Sequence, residues 1–143
     1  ENSDLSAARL DGAHLAKSRL SASLLTKAFL RDADLREAVL AGADLSGAHL
    51  EGARLEGADL TGAWLQRAIF TNANLSRCIL NGSQVTDAIF YRVDLRGSRI
   101  DSPQQLDQAV LIETILPDGR KVTNEKGKSY LESREIATLI DRL

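Results

Sequence analysis

The sequence predicts an all-β solenoid, in which the chain winds into stacked coils, and three regularities carry this prediction. An apolar residue stands at every fifth position from Leu5 to Ile100, and sixteen of these twenty residues are leucine. The residue two positions before each is alanine thirteen times and serine five times, and Cys78 and Val93 complete the set. Eight of the ten glycines stand two positions after an apolar residue of this series.

A period of five residues fits an extended chain and excludes an amphipathic helix. An α-helix turns about 500° over five residues, so an apolar stripe would drift by about 140° with every repeat. In an extended segment, residues two apart lie on the same side, so the small residue and the central apolar residue both point inward. The glycine phase then forms the corner between segments. We expect two turn types along the rod, because glycine corners such as Gly52 accept a positive φ and corners such as Arg77 should turn differently.

The repeats resemble a known motif. Ala33–Glu37, Ala43–Gly47 and Ala58–Gly62 each have the form Ala-Asp-Leu-x-x, which is similar to the A(D/N)Lxx motif of the pentapeptide-repeat family. The resemblance covers residues 1–100 and, less regularly, 104–116, and it implies a right-handed quadrilateral β-helix with one pentapeptide on each side. The sequence alone does not distinguish four sides from three. Four sides give five full coils over the regular repeats, a rod about 24 Å long at the usual strand spacing.

The regular period ends at Ile100, after which the spacing slips by one residue. Pro103 has no N–H to donate to the ladder, so we expect a bulge or loop over residues 101–105. The apolar period then resumes and continues to Leu116, which predicts a partial sixth coil. The β-helix is therefore predicted to span residues 1–116.

The remaining residues differ in pattern from the repeats. Residues 117–128 begin with a Pro-Asp-Gly turn signal and are predicted as a turn and polar linker. Residues 129–143 are predicted as a C-terminal α-helical cap, because Ser129 and Glu132 have capping-box spacing and apolar residues follow at helical spacing. The helix would bury its apolar stripe against the last coil, and docking to another protein is the alternative. The stripe consists of Ile136, Leu139, Ile140 and Leu143.

No residue pattern indicates an enzyme, and we expect no catalytic residue, no cofactor and no metal site. The sequence contains no nucleotide-binding glycine motif, nucleophile elbow or paired metal-ligand spacing. Its two histidines, His14 and His49, fall on different predicted sides. Cys78 is predicted as a buried spacer among the small inward residues. No run of eighteen apolar residues is present, so no membrane span is predicted.

Large apolar residues at outward positions form the candidate interaction surface. The position directly before a central residue usually carries Asp or Asn in this motif, and several repeats replace it with a large apolar residue. Exposed apolar clusters often mark an interface with a partner. The alternatives are scattered surface residues without a role, or coverage by the C-terminal tail. The candidate residues are Leu24, Phe29, Trp64, Ile69, Ile89 and Tyr91.

Two functions are compatible with these features. The first is a non-enzymatic structural or protein-interaction scaffold whose partner is another protein. The second follows from the resemblance, since some family members mimic DNA and bind DNA gyrase or topoisomerase. DNA carries one negative charge per about 1.7 Å, so a rod of this length would need about fourteen. Residues 1–100 contain twelve acidic and twelve basic residues, which favours the scaffold.

Direct nucleic-acid binding is not expected from this neutral charge balance. The oligomeric state stays open. The chain starts at Glu1, inside the first repeat, which is expected of a processed or excised form. The localisation also stays open between the cytoplasm and, if a signal peptide has been removed, a lumen or the periplasm.

Overall fold

The first hundred residues form a four-sided β-helix in the computed structural model, which describes residues 1–133. Parallel β-bridges between residues that are twenty apart in the sequence hold its successive coils together. Each bridge joins two outward residues of successive coils, and the bridges form four separate columns. The columns begin at Asp4 for side one, Arg9 for side two, His14 for side three and Arg19 for side four.

Backbone hydrogen bonds between coils explain this register. On side one, Leu25 N–H donates to Asp44 C=O at 2.7 Å, and Leu24 N–H donates to Ser3 C=O at 2.8 Å. The corner residue adds a third bond, because Lys27 N–H donates to the next coil as well. On each side of a coil, only one outward residue forms β-bridges to the coil before and the coil after it. The sides are therefore isolated bridges rather than long strands.

The inward columns form one continuous core. The central residues from Leu25 to Leu95 are at most 3% exposed, and the alanines beside them are buried. Phe70 and Phe90 replace leucine in successive coils of side two and stack with 5.0 Å between ring centroids. The small column also accommodates Val93, which is 1% exposed. The interior is therefore filled by side chains along the whole rod.

The prediction of two turn types is wrong, because every corner has the same backbone conformation. Gly52 has φ 71° and Arg77 has φ 58°, both in the left-handed region. Across the corners of the repeats, φ is 64–72° at glycine and 54–61° at other residues. The corner N–H must reach a carbonyl of the next coil, so the ladder fixes the conformation whatever the side chain. Non-glycine corners adopt it at a cost of about 1–2 kcal/mol each.

Regular strands appear near the C-terminal end. Strand β1 (Ile89–Tyr91) pairs in parallel with β2 (Val110–Ile112), and β3 (Thr114–Ile115) pairs antiparallel with β4 (Lys121–Val122). A 3-10 helix over Pro103–Gln108 precedes β2. Paired residues of successive coils are twenty-one apart here instead of twenty. The 3-10 helix accommodates the one extra residue that shifts the apolar period of the sequence.

Helix α1 (Glu125–Leu131) begins four residues before the predicted start at Ser129. The predicted linker over 117–128 therefore contains both β4 and the first turn of α1. Asn124 is the N-cap, and its side chain accepts a hydrogen bond from Gly127 N–H at 2.8 Å. Of the predicted cap over residues 129–143, the stretch 134–143 lies outside the described residues. No described helix is long and apolar enough to cross a membrane.

The segment around Asn124 pairs with the outer edge of β2. Asn124 N–H donates to Leu111 C=O at 3.0 Å, and Leu111 N–H donates to Asn124 Oδ1 at 3.1 Å. The Asn124 amide also donates to Ala109 C=O at 2.8 Å. Helix α1 then packs so closely that a Cβ on Gly127 would overlap the Leu111 carbonyl oxygen. The edge of β2 is thus hydrogen-bonded rather than open.

Candidate interaction surface

The structure divides the six candidate residues into three groups. Leu24 and Trp64 are the exposed pair, with 46% and 49% of their surface accessible. Both lie in the outward column of side one, two coils apart, and Asp44 bridges to each of them. The prediction of large apolar residues on the surface is therefore met at these two positions.

Phe29 and Ile69 form the second group and are half-buried on side two. The Phe29 ring stacks on the His49 ring at 5.0 Å with the planes within 2° of parallel. The Arg31 guanidinium lies 5.2 Å from the centroid of the same Phe29 ring. Phe29 therefore presents only part of its surface to solvent.

A network of charged side chains fixes Arg31 beside Phe29. The backbone N–H of Arg31 donates to Asp11 Oδ1 at 2.8 Å, and the side-chain Nε of Arg31 lies 3.6 Å from Glu51 Oε2. His49 Nδ1 lies 3.4 Å from both Arg31 Nη2 and Glu51 Oε1. The sequence contained a signal for this network, because the charges alternate at Asp11, Arg31 and Glu51, which are twenty residues apart. The sequence interpretation did not use it.

Ile89 and Tyr91 form the third group: Ile89 is half-buried like Ile69, and the predicted exposure is wrong for Tyr91. Tyr91 is 6% exposed and belongs to a second apolar cluster with Val110 and Ile112. Ile89 and Tyr130 pack against this cluster. Because Val110, Ile112 and Tyr130 follow the regular repeats, the C-terminal segment covers Tyr91, as the alternative interpretation proposed, and Ile89 packs at its edge.

A smooth corner, which sequence reasoning missed, lies beside Leu24 and Trp64. At the corner between sides four and one, the second residue of each turn is alanine or glycine from Ala22 to Gly82, whereas this position includes charged residues at the other three corners. The first residue of each of these turns is small or polar and uncharged: Ser21, Ala41, Thr61 and Asn81. A Cβ at Gly42 or Gly62 would meet no heavy atom within 4 Å, so this corner is open to solvent. The sequence signal for this corner is a glycine or alanine at the same position of every fourth repeat. We call Leu24, Trp64 and this smooth corner the side-one surface. The corner residues are Ala22, Gly42, Gly62 and Gly82.

Side three neutralises its own charges within single repeats. Arg36 Nη2 lies 2.7 Å from Asp34 Oδ2, and Arg96 Nη2 lies 2.7 Å from Asp94 Oδ2. The side-chain hydrogen bonds from these guanidinium groups hold the pKa of both Asp34 and Asp94 below the usual value. The field of this side is therefore mixed rather than uniformly acidic.

The described residues offer no obvious reactive centre. No group of three or more His, Cys, Asp or Glu among residues 1–133 could hold a metal ion. Cys78 is buried, and its burial raises the pKa of the thiol to about 12. The Cys78 thiol donates to Leu55 C=O at 2.9 Å. A thiol in this state stays protonated and unreactive near neutral pH.

Solved structures with the same type of coil resemble this chain. HetL from the cyanobacterium Nostoc sp. strain PCC 7120, a pentapeptide repeat protein involved in heterocyst differentiation regulation, is 28% identical over 85% of this chain and 67% of its own, with a TM-score of 0.57. Another pentapeptide repeat protein from Nostoc PCC 7120 is 34% identical over 60% of this chain and 69% of its own, also with a TM-score of 0.57.

A third structure, Rfr23 from the cyanobacterium Cyanothece 51142, is 38% identical over 59% of this chain, with a TM-score of 0.47. The matched part is 54% of the Rfr23 chain, so this protein spans about half the length of that relative. A search of curated proteins gave no significant match.

The family model for pentapeptide repeats matches the sequence in eight copies, over residues 3–40, 33–72 and 68–101. These matches are contiguous and cover more than half of the chain. The protein therefore belongs to the pentapeptide repeat family, whose fold is the right-handed quadrilateral β-helix.

Proposed function

We propose that this protein is a non-enzymatic scaffold that binds another protein through the side-one surface. The observation that carries the proposal is the exposure of Trp64, 49% accessible, beside a corner that carries no charged or large apolar side chain from Ala22 to Gly82. Tryptophan is enriched among the residues that dominate interface energies. Open space at Gly42 and Gly62 lets a partner backbone approach closely there, so the indole and the smooth corner complement each other.

The proposal includes the finer architecture of the scaffold. Five full coils and a partial sixth would form the rod, and α1 with the residues after it would cap its C-terminal end. The twenty-residue bridges from Asp4 to Arg99 support the coil count, and the pairing of Asn124 with Leu111 supports the cap. Such a rod is stiff, because every coil is hydrogen-bonded to the next, and a stiff rod can hold a partner at a fixed position.

The charge arrangement supports a scaffold over a DNA mimic. A mimic needs carboxylates that stay unpaired and regularly spaced along the rod, as phosphates are in DNA. On side three, Asp34 and Asp94 each bind an arginine of their own repeat. Inhibition of gyrase supercoiling by sub-micromolar protein would contradict this reasoning.

Affinity capture with matched variants tests the proposal. Trp64→Ala removes the exposed indole, and Gln84→Ala changes the next residue of the same outward column, which is also exposed. We expect Gln84→Ala to retain the proteins captured by the unaltered chain and Trp64→Ala to lose them, with both variants melting at the same temperature. Retention of the same proteins by Trp64→Ala would exclude the side-one surface as the binding site.

A further inference from the structure

Side four of the rod ends one coil before side three, its neighbour, and side two within the described part of the chain. The last bridge on side four joins Ile79 to Arg99. Side two continues to Val110 and side three to Ile115. After Leu116 the chain turns and returns as β4 beside β3 on side three. Arg99 therefore bridges to Ile79 of the preceding coil, and none of residues 1–133 forms a bridge to Arg99 as a following coil would.

The missing segment leaves backbone groups that earlier coils pair. On side four, Leu80 N–H donates to Arg99 C=O, and Arg99 N–H donates to Cys78 C=O, both at 2.8 Å. The equivalent groups of the last coil are Ile100 N–H and Ser98 C=O, and neither has a backbone partner among the described residues. An edge of this kind accepts an additional strand.

An apolar notch of about 320 Å³ lies at the same end of side four. Its apolar lining comes from the last regular coil and from the partial coil that follows it. Ile100 is only half-buried, whereas the central residues of side four in coils two to four are fully buried beneath the next coil. We call this space the side-four notch. It is lined mainly by Ile100, Pro103, Leu106, Leu116 and Pro117.

We propose that the side-four notch binds an extended segment of a partner protein, of the form small–x–Leu, as the missing strand of side four. The leucine side chain would fill the notch. The backbone of the segment would accept a hydrogen bond from Ile100 N–H and donate one to Ser98 C=O, as a further coil would. The ligand follows from the chain itself, because earlier positions of this column are filled by Ala38-Val39-Leu40 and Ala58-Asp59-Leu60.

The described C-terminal residues do not occupy this site. Helix α1 packs against β2 on side two, which is the side opposite side four. The charged groups at the rim already have partners within the chain: Arg120 Nε lies 2.7 Å from Asp118 Oδ2, and the Asp101 carboxylate accepts from Gly82 N–H at 2.9 Å and Asn81 Nδ2 at 3.2 Å. Recognition would therefore depend on backbone pairing and the fit of one apolar side chain rather than on charge. This site is separate from the side-one surface and does not rest on the proposal made for it.

Fluorescence anisotropy with a labelled peptide tests the proposal. The probe has the sequence of residues 56–62, Glu-Gly-Ala-Asp-Leu-Thr-Gly, taken from side four. We expect saturable binding to the full chain. A peptide with Leu60→Ala should bind about tenfold more weakly or worse, because the buried apolar area is lost. A peptide N-methylated at Asp59 should also lose binding, because that N–H is the donor to Ser98 C=O.

Two protein variants localise the binding. Ser102→Trp places a large ring in the notch that Ser102 lines, and Gln104→Trp is the matched control at an exposed position outside the lining. We expect Ser102→Trp to abolish binding and Gln104→Trp to preserve it. Equal binding by Ser102→Trp, or binding insensitive to N-methylation, would overturn the proposal.

A third variant, Leu139→Asp, tests the tail of this chain as the occupant. It changes the Ala-Thr-Leu sequence after Ile136, which also has the small–x–Leu form. Peptide affinity unchanged by Leu139→Asp supports an external segment. An affinity at least tenfold higher would identify the tail as the occupant and overturn the assignment to a partner. Trp64→Ala should leave peptide binding unchanged, which separates this site from the side-one surface.

Discussion

Replacing Leu60 with alanine tests whether the central column stabilises the rod. Leu60 is fully buried on side four, between Leu40 and Leu80 of the neighbouring coils, and both of these are fully buried as well. The coils cannot close together over the cavity, because Leu60 N–H bonds Ile79 C=O at 2.8 Å and Asp59 N–H bonds the coil before it at 2.9 Å. Such substitutions cost about 2–5 kcal/mol, and we expect the upper half of that range.

Urea denaturation followed by circular dichroism measures this loss in the free energy of unfolding. The matched control is Leu10→Ala, because Leu10 is only half-buried and, among the described residues, a coil packs on one side of it. Less apolar area is lost there, so we expect less than half the effect of Leu60→Ala. Equal losses at the two positions, or a loss below about 1 kcal/mol at Leu60, would refute the reasoning.

Three further predictions concern the helix, a surface ion pair and the thiol. Gly127→Ala should separate α1 from β2, because the added methyl group overlaps Leu111 C=O, and faster amide exchange at Leu111 would report it. Asp94→Asn should weaken the fall in melting temperature below about pH 4, because the Arg96 hydrogen bond lowers the folded-state pKa and its stabilisation is lost on protonation. Cys78 should react with a thiol reagent at pH 8 only after denaturation, and reaction in the native protein would contradict its burial.

The repeat period predicted the fold well because one local pattern recurs in every coil. The inward columns could be assigned from spacing alone, and their burial from Leu25 to Leu95 agrees with that assignment. The corners could not be assigned in the same way. Residues such as Arg77 do not favour a positive φ, but the inter-coil hydrogen bonds impose it, and sequence preference is weaker than those bonds.

The surface and the C-terminal helix depend on contacts between distant parts of the chain. Trp64 and Leu24 are exposed, as their outward position in the repeat predicted. Tyr91 is covered by β2 and by Tyr130, which a local pattern does not reveal. Asn124 is the N-cap of α1 while it also pairs with the edge of β2, so the start of α1 could not be inferred from capping-box spacing alone.

Hydroxyl-radical footprinting of Trp64 tests the central proposal most directly. Free protein should be oxidised readily at Trp64, which is 49% exposed, and at Leu131, which is 43% exposed on α1. With a captured partner bound, we expect strong protection of Trp64 and unchanged oxidation of Leu131. Equal oxidation of Trp64 in the free and bound states would contradict the side-one surface as the binding site.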